Sequence, residues 1–174
     1  MSSADNLAIL HIELIDIEPV IWRRIAVRGS TSLATLHKII QAAMGWLDYH
    51  LWEFTVDDVT YGIPDPDDAS WGHKVERAST TKLAKMLDGG IKTFGYVYDM
   101  GDNWQHRIIV ERVEVAELGK LYPEFLGQRD GLCPGSFSRT GQSGHFRVVT
   151  QCCESVVRPG YFGHSCADSS SAAL

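Results

Sequence analysis

The chain has 174 residues, enough for one domain, or one domain with an appendage, around a substantial core. Its 44% apolar and 22% charged composition is that of a water-soluble globular protein, not of a disordered or membrane-embedded chain. A net charge of −6, with Arg23–Arg24 the only adjacent basic pair, disfavours a surface built to neutralise phosphates.

No apolar run approaches the ~20 residues of a membrane-spanning helix. The start, "MSSADN", lacks a basic region and an apolar core, so a cytoplasmic location is expected. Cys133, Cys152, Cys153 and Cys166 all fall in the last quarter and form no C-x-x-C pair. Reduced thiols are the default for such a chain.

"LAILHIELIDI" is apolar at both parities, as in a strand buried on both faces, and the chain then turns through "EPVIW". A strand pair is expected at Leu7–Ile15 and Trp22–Val27. In "STSLATLHKIIQAAMGW" Leu33, Leu36, Ile40 and Ala43/Met44 recur at helical spacing. Ser30, Thr31 or Ser32 caps this helix and Gly45 ends it. His37 reads as a surface or flank residue of the helix.

"HLWEFTVDDVTYGI" predicts a hairpin, Leu51–Val56 and Val59–Ile63, turning at Asp57–Asp58. Pro64–His73 is a polar loop by composition. "STTKLAKMLDGG" predicts a short helix capped by Thr80 or Thr81, with Leu83, Met86 and Leu87 facing the core. A second hairpin runs from about Phe94 to about Val115, and "AELGKLYPEFLG" has room for a helical turn before Pro123. The order β-β-α-β-β-α-β-β, without a βαβ rhythm, predicts an α+β fold with a mainly antiparallel sheet and two or three helices. Residues 1–132 make the folded domain. Residues 133–174, with eight serines and only isolated apolar runs, form an atypical tail expected to be poorly ordered.

The stretch most suggestive of a site is "YVYDMGDNWQHRIIVE", Tyr96–Glu111. With period two, Trp104, His106, Ile108 and Val110 share one face, and Tyr96, Tyr98 and Met100 share one on the incoming strand. Turn chemistry accounts for Asp99, Gly101, Asp102 and Asn103: the Asp residues bond backbone N–H groups, Gly101 allows an unusual φ, and Asp102–Asn103 tolerates the left-handed region. The alternative is that Asp99, Asp102 and His106 converge on a divalent metal, or act as acid and base. Spacing alone favours the turn. His50, in "DYHLWEF", would join this site if the fold brought it beside His106. Trp22, Arg23 and Arg24 could stack on a base or hold a phosphate; as an amphipathic strand with solvated arginines they need do neither, and that reading is the stronger. No P-loop, dinucleotide-binding, zincin or nucleophile-elbow signature occurs.

"EPVIWRRIAV", "TLHKIIQAAMGW", "HLWEFTV…YG", "TKLAKML" and above all "YVYDMGDNWQHRIIVE" resemble the Ri-plasmid open-reading-frame-three-like family, known also as insertion-element passenger proteins of the "TnpR" kind. The family pattern Tyr-x-Tyr-Asp-Phe-Gly-Asp-x-Trp-x-His is matched at Tyr96, Tyr98, Asp99, Gly101, Asp102, Trp104 and His106, with Met100 in place of Phe. The resemblance covers about Leu7 to Cys133. It implies an α+β fold and an association with plasmids and transposable elements. It brings no established activity, and "MSSADN" offers no activated serine among arginines, as a serine recombinase needs.

After Cys133–Pro134 the chain departs from the acidic and glycine-rich ending usual in the family. A frameshifted or recombined gene end would produce such a tail.

Three functions follow. The chain is an accessory binding protein of a mobile element, with a protein partner favoured by its acidity. Or it is a metal-dependent hydrolase or phosphotransfer enzyme using Asp99, Asp102 and His106, with His50. Or it binds nucleic acid directly through Trp22, Arg23 and Arg24. The resemblance makes Asp99, Asp102, Trp104 and His106 the residues to examine first.

Overall fold

The computed structural model describes residues 6–65 and 74–129. Eight strands and two helices follow one another as β1 (Asn6–Leu14), β2 (Trp22–Arg28), α1 (Leu33–Met44), β3 (Trp52–Val56), β4 (Val59–Gly62), β5 (Val75–Arg77), α2 (Leu83–Asp88), β6 (Thr93–Tyr98), β7 (Trp104–Val115) and β8 (Glu124–Arg129). The strands form a single sheet in the order β5-β4-β3-β6-β7-β1-β2-β8, antiparallel except between β4 and β5. Two helices on this sheet fit the α+β expectation; strand so outweighs helix that a mainly-β description fits as well.

β1 lies between β2 and β7, and Leu7, Ala8, Ile9 and Leu10 are all buried, as its apolar character at both parities required. Ala8, Leu10 and Ile12 face a core shared with Leu33, Leu36, Ile40 and Met44 of α1, Leu83 and Met86 of α2, and Phe54, Tyr96, Ile108 and Val110. On the opposite face Leu7, Ile9 and Ala26 are covered by Ala116 and Tyr122. The register of β1 with β7 slips between Ile9 and Leu10, leaving Glu111 as an extra residue in β7.

α1 begins where the Ser32 hydroxyl accepts the Thr35 N–H at 3.1 Å. It ends at Gly45, in the left-handed region at φ 75°, and the Trp46 N–H reaches back to the Gln41 carbonyl at 2.9 Å. This terminator fixes where Trp46 points, which matters below.

Four expectations change. α2 is not capped by Thr80 or Thr81, whose hydroxyls bond the Arg77 carbonyl instead. Lys82 occupies the cap position, and backbone does the work of a side chain: Leu83 N–H donates to Thr31 O at 2.8 Å. The expected helical turn near Pro123 is replaced by β8, which extends the sheet past β2. Short β5, paired parallel to β4, was too brief to show a period. Gly101 is not at positive φ; Asp99 and Asn103 are, at 58° and 54°. A side chain at Gly101 would meet the Asp99 carboxylate at 3.3 Å, a tight contact that would push on the group holding the turn. Residues 66–73 of the polar loop and the tail with its four cysteines lie outside the described residues.

Candidate functional site

The loop leaving α1 meets the β6–β7 turn at one end of the sheet and encloses an open cleft of ≈ 260 Å³. Gly45, Trp46, Leu47, Tyr49 and His50 line it from the loop, and Tyr98, Asp99, Asp102 and Trp104 from the hairpin. The Trp46 ring stacks on Tyr98 at 5.0 Å and tilts against Trp104 at 6.0 Å. Of the loop residues lining it, Leu47 is 69% exposed and Tyr49 78%, and nearby Leu51 is 69% exposed. Together they give this loop an apolar rim.

The carboxylates have distinct tasks. Asp99 Oδ1 accepts the N–H groups of Gly101, at 3.0 Å, and Asp102, at 3.3 Å, which holds the turn. Its Oδ2 faces His50 Nε2 at 3.5 Å. The Asp99 N–H donates to Leu51 O at 2.9 Å, and the Tyr49 N–H to the Tyr98 hydroxyl at 3.0 Å, so hairpin and loop are stitched together. Asp102 is exposed at the mouth.

His106 is elsewhere. It is 1% exposed, and its Nδ1 donates to the Tyr96 carbonyl at 3.3 Å, while its Nε2 has no hydrogen-bond partner among the described residues. Burial lowers its pKa to about 4, against the pull of the Tyr96 and Trp104 carbonyls, so the ring is neutral at pH 7. Its ring packs edge-on to Trp46 at 5.2 Å. The sheet thus brings His50, Asp99, Asp102 and Trp104 to one cleft and seals His106 behind Trp46. Among the described residues no three His, Cys, Asp or Glu side chains gather as a ligand set, so Asp99, Asp102 and His106 do not converge.

Trp22, Arg23 and Arg24 also lie apart from the cleft. Arg23 is buried rather than solvated, its Nε donating to the Ala43 carbonyl at 2.8 Å. Arg24 makes a bidentate pair with the bulged Glu111, at 2.9 and 2.7 Å, and lies over Trp22 at 5.0 Å. Both guanidinium groups are committed within the fold.

Sequence reasoning missed the cluster behind the loop. His37, far from being a surface residue, is buried. Its Nε2–H donates to Asp48 Oδ1 at 2.6 Å, so Nδ1 accepts from the Tyr96 hydroxyl at 2.8 Å. That hydroxyl accepts from Gln41 Nε2 at 2.9 Å, and Gln41 Oε1 accepts the Asp48 N–H at 3.1 Å, closing a ring of four groups. Burial lowers the pKa of His37, with Asp48 opposing, and burial raises that of Tyr96. The ring pins Asp48, itself at φ 56°, and with it the loop that carries Leu47, Tyr49 and His50. The signal was present: His37 and Gln41 fall on the same helical stripe as Leu33, Ile40 and Met44.

A larger groove of ≈ 540 Å³ lies between α1 and β8, lined by Ile25, Ile39, Ala42, Ala43, Pro123 and Phe125 among others. Its lining includes none of Trp22, Arg23, Arg24, His50, Asp99, Asp102, Trp104 and His106.

The chain belongs to the plasmid pRiA4b ORF-3-like protein family, whose model matches residues 6–136. It is 39% identical over 126 residues to uncharacterized protein y4hQ of Sinorhizobium fredii (strain NBRC 101917 / NGR234), a match covering 72% of this chain. The matched region spans 62% of that relative's length. Among solved structures it resembles the protein of unknown function MM3350 from Methanosarcina mazei Go1, with a TM-score of 0.65 and 31% identity, covering 74% of this chain and 72% of that one. Among the described residues no helix is long and apolar enough to cross a membrane.

Proposed function

We propose that the protein is a binding protein that acts through the cleft between the α1 loop and the β6–β7 turn. The observation that carries this reading is the separation of His106 from the carboxylates. A hydrolase built on Asp99, Asp102 and His106 needs the imidazole within reach of the reacting atoms, and His106 is buried behind Trp46. What faces the solvent instead is recognition chemistry: aromatic faces, two carboxylates and an apolar rim. The setting this reading takes is an accessory role beside plasmids or transposable elements; the family's description, which names a plasmid, supports the first of these. An acidic chain whose Arg23 and Arg24 are engaged internally favours a protein partner over nucleic acid.

The test is an array of random dodecapeptides probed with the purified chain and with Asp102→Asn. Peptides retained by the parent and lost by the variant are the expected result. An array that retains nothing, together with a divalent-metal-dependent phosphatase activity abolished by Asp102→Asn, overturns the binding reading in favour of the enzyme.

A further inference from the structure

We infer that the cleft is a receptor for an alkylammonium group, the side chain of a lysine displayed by a partner polypeptide; the inference rests on the binding reading above and names its ligand. Three independent features meet in one place. The Trp46 ring stacks on Tyr98 at 5.0 Å and tilts against Trp104 at 6.0 Å, and all three line the cleft, giving it an aromatic wall of the kind that attracts cations. Two carboxylates, Asp99 and Asp102, stand at its mouth, while no lysine or arginine is among the residues lining it. The Asp99 carboxylate is aimed by the Gly101 and Asp102 N–H groups and by its own positive φ, so its position does not depend on the ligand.

Lysine suits this geometry better than a free small cation. The cleft volume of ≈ 260 Å³ accommodates a four-carbon stem as well as its ammonium head. The exposed Leu47 and Tyr49 on the cleft wall and Leu51 next to them in the chain add apolar surface that a free cation cannot bury and the residues flanking a lysine can. Arginine has a broader planar head whose five donors require a fork of acceptors. Here Asp99 Oδ1 is already committed to the turn and its Oδ2 faces His50 Nε2 at 3.5 Å, so the exposed Asp102 carboxylate is the principal acceptor and no fork is offered.

The decisive measurement is titration calorimetry of the chain with three synthetic peptides that differ at one position: Leu-Ser-Lys-Leu-Ser, its acetyl-lysine version and its norleucine version. The lysine peptide should bind, with affinity falling about tenfold on acetylation or replacement by norleucine, as loss of a cation–aromatic contact and its carboxylate partners implies. Asp102→Asn, an exposed position where folding is not at stake, should weaken the lysine peptide several-fold and leave the norleucine peptide unchanged; Trp104→Leu should weaken both. Equal binding of all three peptides, or no binding of the lysine peptide at millimolar concentration, overturns the inference. If peptides without lysine are nonetheless retained on the array in an Asp102-dependent manner, the binding reading stands and only the ligand is wrong.

Discussion

His106 lies in the β6–β7 hairpin with Asp99 and Asp102, yet it is buried behind the cleft instead of lining it. Its ordinary pKa of 6.5 is lowered to about 4 by burial. Below pH 6.5 the unfolded chain takes up a proton that the folded chain refuses until about pH 4. The stabilisation tied to neutral His106 is therefore complete above pH 6.5 and is lost as the pH falls towards 4, by roughly 3 kcal/mol at most. His106→Leu, similar in volume and without the unpartnered Nε2, should show a flatter stability curve over that window in urea denaturation. An acid decline as steep as the parent's would assign the loss to other groups. Asp99 offers a second test. It adopts the left-handed region and holds two N–H groups, so Asp99→Asn should be nearly neutral and Asp99→Ala should cost about 1–2 kcal/mol, read as a shift in the urea midpoint.

Between elements, the ring of His37, Gln41, Tyr96 and Asp48 couples α1 and β6 to the loop that walls the cleft. His37→Phe strands the Tyr96 hydroxyl beside Gln41 and removes the partner of Asp48. We expect a loss of about 2–4 kcal/mol, with the double variant His37→Phe/Tyr96→Phe less destabilised than the sum of the single ones. Additivity in that cycle would mean that the groups do not act together. By contrast Arg24→Ala, which breaks the exposed bidentate pair with Glu111, should change stability by no more than about 1 kcal/mol. The elements that could be read from the sequence are those with apolar spacing or turn signals to mark them: α1 and α2, β1 to β4 and the β6–β7 hairpin. β5 is three residues long, and β8 follows Pro123 with an exposed Phe125 and Leu126, so neither carries an alternation that sequence could show. The cleft was half legible for the same reason. Asp99, Asp102 and Trp104 lie together in one hairpin, whereas Trp46 and His37 reach the site only through the helix terminator and the fold.

At the scale of the molecule, the sheet has two unlike ends. β1, β7 and β6 lie at its centre, and short β5 and exposed β8 form its edges. Amide hydrogen exchange should be slowest in Ala8–Ile12 and Ile108–Val110 and fastest in β5 and β8. Protection in β8 equal to that in β1 would show that something covers this edge.

The order of strands also bears on how the chain comes off the ribosome. β1 is made first, yet one of its two neighbours, β7, begins only at Trp104. Through most of synthesis the apolar stretch Leu7–Leu14 has β2 on one flank and an open row of amides and carbonyls on the other. A growing chain of this design is exposed to aggregation until β7 emerges, and a holding factor would serve it best in that interval. Chains truncated at Asn103 should accordingly sediment with insoluble material, and those extended to Arg129 should not.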